Sequence, residues 1–369
     1  MALSDGPSVS VLCGQLLVVG LESKELASHE RSALAAGERG GVVLFRRNIP
    51  SPLDARAVAE LIRGVRDASP SELPPLVAVD QEGGRVMRLG APAMQLPPMR
   101  RLGDLDDDDL LRRVAEAQAR ELRALGFTMS FAPVADVHTR DENPIIGDRA
   151  FATTPERVAR RARAWADGLG RGGILSCAKH FPGHGDTTVD SHLALPRVDR
   201  SRGELDRVEL AAFRPLCAGD AIDSMMTAHV VYRALDPDQP ATLSRAICTD
   251  LLRGALGFRG VLFSDDLEMK ALTIPVGEAA VRAVTAGCDV LLVCSRADWA
   301  AAAHEALVRE AESSPAFKAR CEEAFARAIA MRRRAAPAPL ETDEALARAF
   351  EASSPITREL AARLDGGRT

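Results

Sequence analysis

Leu76-Val77-Ala78-Val79-Asp80-Gln81-Glu82-Gly83-Gly84-Arg85 is a short apolar run that ends abruptly in charge and glycine. Consecutive apolar residues with no polar alternation suit a strand covered on both faces, as in a parallel sheet flanked by helices. Seven more such runs punctuate the chain, at residues 15–20, 41–45, 129–134, 174–178, 224–228, 261–264 and 289–293. Stretches with helical periodicity lie between most of them. Three helices can be placed: 106–125 with an acidic start, 155–168 behind Thr154 with Pro155 at its first position, and 243–256 before Gly257. Eight strands alternating with helices predict a single (β/α)8 TIM-type barrel. A doubly wound open sheet is the alternative, but no G-x-G-x-x-G or Walker loop follows any run.

At 369 residues the chain could hold two or three domains by length alone, or one barrel with additions. Helices are expected over 297–309 and 316–334 after the eighth run. Ala335-Ala336-Pro337-Ala338-Pro339 then breaks the pattern, and 340–369 reads as one short helix and a polar tail. The expected division is a catalytic barrel over 1–335 and a C-terminal helical and polar tail over 336–369.

Composition narrows the classes. With 46% hydrophobic and 27% charged residues, disorder, collagen-like structure and coiled coil are poor readings. A formal charge of -5 argues against a nucleic-acid surface. No stretch offers about 18 uninterrupted apolar residues, so no membrane segment is expected. Met1 to Pro7 lacks the positive region of a signal peptide. The seven cysteines are scattered and without C-x-x-C spacing. A reduced cytoplasmic protein without a disulfide framework follows, expected to be monomeric.

Polar residues cluster just beyond the strands, where a barrel keeps its active site. Strand three leads to Asp80 and on to Arg85 and Arg88; strand four leads to Asp136 and then to Asn143 and Arg149. Strand five leads into Lys179-His180-Phe181-Pro182-Gly183-His184-Gly185-Asp186 and on to Asp190-Ser191-His192. Strand six ends at His229 and strand seven at Ser264-Asp265-Asp266. Asp190 and His192, two apart, can face the same way in extended backbone, and a carboxylate that holds an imidazole makes a general acid/base. The competing readings are a solvated surface loop, or a zinc site at His180, His184 and Asp186. Pro182 and Gly183 work against a helical H-x-x-x-H, and no metal is expected. Asp265 is a candidate nucleophile, and Asp266 a candidate cap for the next helix. Each of Arg85, Arg88 and Arg149 could hold a ligand or a structural ion pair. The acidic run Asp106 to Asp109 reads as a helix N-terminus rather than a calcium site, and Cys177 as a core residue.

The segments 79–86, 131–134, 147–149, 179–192 and 263–267 resemble, in order, those of the bacterial single-domain β-N-acetylglucosaminidases of glycoside hydrolase family 3. The resemblance covers roughly the first 330 residues, and its specific part is the His-bearing 179–192 run. It implies Asp265 as nucleophile and His192 as general acid/base held by Asp190. It implies Asp80, Arg88, Arg149, Lys179 and His180 as ligands for N-acetylglucosamine. No cofactor is implied. The implied reaction is retaining, exo-acting removal of a terminal N-acetylglucosamine from 1,6-anhydro-N-acetylmuramic acid muropeptides in peptidoglycan recycling. Scarce aromatics, at 4%, fit a compact pocket better than a long stacking cleft. A phosphorylase on the same scaffold and a non-catalytic sugar-binding barrel are the alternatives.

Overall fold

The computed structural model describes residues 6–187, 195–219, 221–335 and 341–366. Eight parallel strands close into a barrel in sequence order: β1 (Leu17–Gly20), β2 (Gly41–Leu44), β3 (Leu76–Val79), β4 (Met129–Ser130), β5 (Leu175–Phe181), β6 (Ser224–Thr227), β7 (Val261–Asp266) and β8 (Val290–Val293), with β8 pairing back onto β1. The expected (β/α)8 barrel is therefore the architecture.

The continuous apolar runs have a simple cause. Along β3, Leu76 and Ala78 belong to the cluster inside the barrel, whereas Val77 and Val79 belong to the larger core between strands and helices. Both faces are buried, so neither can be polar. Phe131 and Phe263 meet edge to face inside the barrel, with ring centres 5.6 Å apart.

Strand ends differ from the sequence reading in three places. The fourth run pairs only over Met129–Ser130, with a single further bridge from Val134 to Lys179. Pro133 between them has no N–H to give a ladder. β5 runs on to Phe181, because Lys179 still pairs with Met226 and Phe181 with Thr227, so Lys179 and His180 sit in the strand rather than after it. β7 likewise includes Asp265 and Asp266, with a register shift between Phe263 and Asp266.

The helices α1 (Asp108–Leu125) and α2 (Pro155–Arg171) pack side by side on the outer ring. Asp107 caps α1 by accepting from the Leu110 N–H, and Asp106 and Asp108 both pair with the buried Arg161 of α2. The acidic run is thus a helix start. Thr154 occupies the cap position of α2 but makes no side-chain cap bond. The helix expected over 243–256 starts at Ala246 and is π-wound through Ala255.

The C-terminal stretch forms two helices rather than one: α3 (Asp343–Ala352) and α4 (Ser354–Gly366). Leu346, Phe350 and Leu360 are buried, and Arg113 of α1 grips Glu359 with two contacts of 2.7 Å. Polar composition hid three apolar anchors on helical spacing. No helix among the described residues is long and apolar enough to cross a membrane.

Candidate active site

Strand parity builds the site. Leu76 and Ala78 of β3, Leu175 and Cys177 of β5, and Val261 and Phe263 of β7 all face the barrel interior. Side chains alternate with period two, so the next residues on the same faces are Asp80, Lys179 and Asp265. Alternate strands of a barrel contribute to one layer, and these three come from strands three, five and seven. They line an open pocket together with Glu82, Arg88, Arg149, His180, His184 and Asp266. Val43, Phe131, Met226 and Leu292 give it an apolar floor. Cys177, one layer below Lys179, is fully buried, and burial pushes its thiol up to about 12, as a core cysteine requires.

Three cations share two carboxylates. Lys179 Nζ lies 2.8 Å from Asp80 Oδ1 and 2.6 Å from Glu82 Oε1. Arg88 reaches Asp80 Oδ2 at 3.0 Å. Arg149 takes Glu82 with two parallel hydrogen bonds of 2.9 Å, a fork geometry that only arginine supplies. Burial opposes ionisation of Asp80 and Glu82, but Lys179 with Arg88, and Arg149 with Lys179, outweigh it. Asp80 is held well below the usual carboxylate range and Glu82 at about 2. Arg88 Nε is buried and has no hydrogen-bond partner among the described residues. Arg85 points elsewhere: it donates to the carbonyls of Pro144 and Ile145, the latter at 2.5 Å, and so braces the loop that carries Arg149.

A fully buried carboxylate, Asp136, organises the end of β5. It accepts from His180 Nδ1 at 2.7 Å, from the His180 N–H at 3.1 Å and from the His184 N–H at 2.6 Å. The carboxylate accepts from Nδ1 and so fixes the orientation of the His180 ring. Burial and the neighbouring His180 push His184 down to about 4, so it is neutral near pH 7. His184 Nδ1 meets Thr187 Oγ1 at 2.7 Å. Asp186 turns away to Arg200 at 3.0 Å. Of the three residues weighed as zinc ligands, His180 and His184 line the pocket with ring centres 5.8 Å apart and Asp186 is held by Arg200; among the described residues no group of three or more metal-binding side chains converges.

The two carboxylates that end β7 are pushed apart. Burial opposes ionisation of Asp265, but His229, His180 and Lys179 together outweigh it and lower its pKa. Burial, then Glu268 and Asp265, raise Asp266 to about 7. Adjacent carboxylates with opposite shifts are a usual way of separating roles, here Asp265 favoured as the carboxylate and Asp266 keeping its proton to a higher pH. A raised carboxyl gives stability that is full below its unfolded pKa and lost as pH rises through its folded one. Asp266→Asn is therefore expected to match wild-type thermal stability at about pH 4 and to exceed it increasingly up to about pH 7. Melting both proteins at a series of pH values checks this; a constant difference would refute the assignment.

The structure thus brings Asp80, Arg88, Arg149, Lys179, His180 and Asp265 to one pocket. Asp190 and His192 lie outside the described residues. The sequence reading left four contributors without a role: Glu82, Asp136, His184 and His229. Their signal was present in the even spacing of Asp80 and Glu82 and in the polar end of each strand. Neither tryptophan lines the pocket; its aromatics are Phe45 and Phe131.

Comparison with known proteins agrees with this geometry. The glycosyl hydrolase family 3 N-terminal domain matches residues 8–330. The β-hexosaminidase of Alkalilimnicola ehrlichii is 44% identical over 287 residues, 76% of this chain and 80% of that protein. That of Pseudomonas aeruginosa PAO1 is 42% identical over 284 residues, 76% of this chain and 82% of that protein. Among solved structures, a family 3 β-N-acetylglucosaminidase from Paenibacillus sp. superposes with a TM-score of 0.86 at 38% identity, covering 95% of this chain and 69% of that one. Native NagZ from Neisseria gonorrhoeae gives 0.76 at 33% identity, covering 94% of this chain and 97% of that one.

Proposed function

This chain belongs to glycosyl hydrolase family 3 and is a glycoside hydrolase of the β-hexosaminidase type, and we propose that it removes single terminal N-acetylglucosamine residues with retention of configuration. The carrying observation is an Asp265 carboxylate favoured in its ionised form at the mouth of the barrel, facing a ring of hydrogen-bonding groups fixed by buried ion pairs. In this reading Asp265 attacks the anomeric carbon and forms a glycosyl ester as the leaving oxygen departs with a proton from His192. Neutral His192 then takes a proton from water, which hydrolyses the ester and restores Asp265. Asp190 orients His192 and supports its protonated form.

Asp80, Arg88, Arg149, Lys179 and His180 hold the sugar. Lys179, Arg88 and Arg149 share the carboxylates of Asp80 and Glu82, and an ionised Asp265 supplies the third negative charge, which leaves little net positive charge to attract inorganic phosphate. This favours water over phosphate as acceptor. A pocket with no tryptophan or tyrosine among its described residues on which successive sugars could stack supports exo action, and we assign the substrate to N-acetylglucosamine linked to 1,6-anhydro-N-acetylmuramic acid. Seven cysteines, all unpaired, support a reducing, cytoplasmic setting for cell-wall recycling.

The test is turnover of an aryl β-N-acetylglucosaminide with the product anomer followed by NMR, then trapping with a fluorinated analogue and peptide mapping. The expected results are initial release of the β-anomer and label on Asp265. Inverted product, or label elsewhere, would overturn the mechanism; N-acetylglucosamine 1-phosphate as main product in phosphate buffer would overturn hydrolysis. His192→Ala is expected to lose about 10²–10⁴-fold in kcat, the range of general acid–base catalysis. The loss should be smaller on a substrate whose phenol leaves without protonation.

A further inference from the structure

Asp265 is oriented through the backbone of its neighbour. Its Oδ1 accepts the Asp266 N–H at 2.8 Å, where the register of β7 shifts against β8. The carbonyl on the other side of the Asp266 Cα meets His229 Nε2 at 2.9 Å. A carbonyl only accepts, so His229 carries its proton on Nε2 and donates. His229 Nδ1 meets Thr242 Oγ1 at 2.7 Å, and Thr242 Oγ1 meets Thr227 Oγ1 at 2.8 Å. Thr242 Oγ1 also reaches the Ala228 carbonyl at 3.3 Å, which ties the threonine to the end of β6.

We infer that His229, aligned by Thr242 and Thr227, is a positioning residue that sets the attack geometry of Asp265 by fixing the Asp266 backbone. His229 is fully buried and does not line the pocket, so it acts through Asp266 rather than on the sugar. Parity explains this: Met226 faces the barrel interior, Thr227 the opposite way, and His229 follows Thr227. Two residues of β7 and its end thus depend on a histidine from the end of β6 and a threonine from the loop behind it. The inference rests on Asp265 as nucleophile.

The experiment compares wild type, His229→Leu, His229→Gln and Asp265→Asn on an aryl β-N-acetylglucosaminide. Misplacing a reacting group by about 1 Å costs on the order of 10²-fold. His229→Leu is expected to lose about that in kcat with KM within about threefold. The glutamine amide can donate to the same carbonyl, so His229→Gln should recover most of the loss. Thr242→Val, which keeps the histidine but frees its ring orientation, should lose kcat in the same direction by less and serves where His229→Leu does not fold. A loss carried by KM, or glutamine no better than leucine, overturns the positioning role. Inactive Asp265→Asn beside wild-type-like His229→Leu overturns it alone. An active Asp265→Asn removes the nucleophile reading, and the positioning role falls with it.

Discussion

Asp265→Asn is expected to lower kcat on an aryl β-N-acetylglucosaminide by a factor on the order of 10⁶, the scale seen when a covalent nucleophile is removed. The amide occupies the same volume and can still accept the Asp266 N–H, so the fold should persist, as near-UV circular dichroism will show. What disappears is the negative charge that forms the glycosyl ester in the proposed mechanism. The neighbouring carboxyl does not substitute for it: Asp266 is raised to about 7 and directs Oδ1 to the Glu268 N–H at 3.1 Å and the Cys294 N–H at 3.3 Å. A residual rate within tenfold of wild type would assign the nucleophile elsewhere.

Glu82→Ala is expected to cost about 3–5 kcal/mol of stability, because it strips a buried anion from two cations at once. Glu82 is 1% exposed and is the shared partner of Lys179 and Arg149. Lys179 keeps Asp80 after the change, whereas Arg149 loses its fork. Activity should fall with stability, since both cations line the pocket proposed to hold the sugar. A urea titration reads the loss, and a change below about 1 kcal/mol would mean the network is not structural. Acid provides a second reading. Glu82 has its folded pKa lowered to about 2, so its stabilisation is present above its unfolded value of about 4.3 and is lost as pH falls toward 2. Wild type should therefore lose its advantage over Glu82→Ala across that interval.

These two predictions differ in how far they could be foreseen. Asp265 follows an apolar run directly, and strand-end carboxylates of a barrel are legible before any coordinates exist. Glu82 was equally visible, but nothing local says that Arg149, 67 residues away, will take it with both nitrogens. The same holds for Asp136, which reads as one polar residue after a strand. Only the folded chain places it beneath His180 and His184, 44 and 48 residues away, and gives it three short hydrogen bonds.

Local chemistry determined the elements. Apolar runs bounded by charge set the eight strands, and their number and alternation with helices set the barrel. Period two could even have placed Asp80, Lys179 and Asp265 on one inner layer. The tertiary structure decided the pairing. Which cation meets which carboxylate, which carboxyl of the Asp265–Asp266 doublet stays ionised, and which histidine holds backbone all depend on burial and on charges brought together across the barrel. Electrostatic energy varies with distance and local dielectric, and a sequence states neither until the chain has closed.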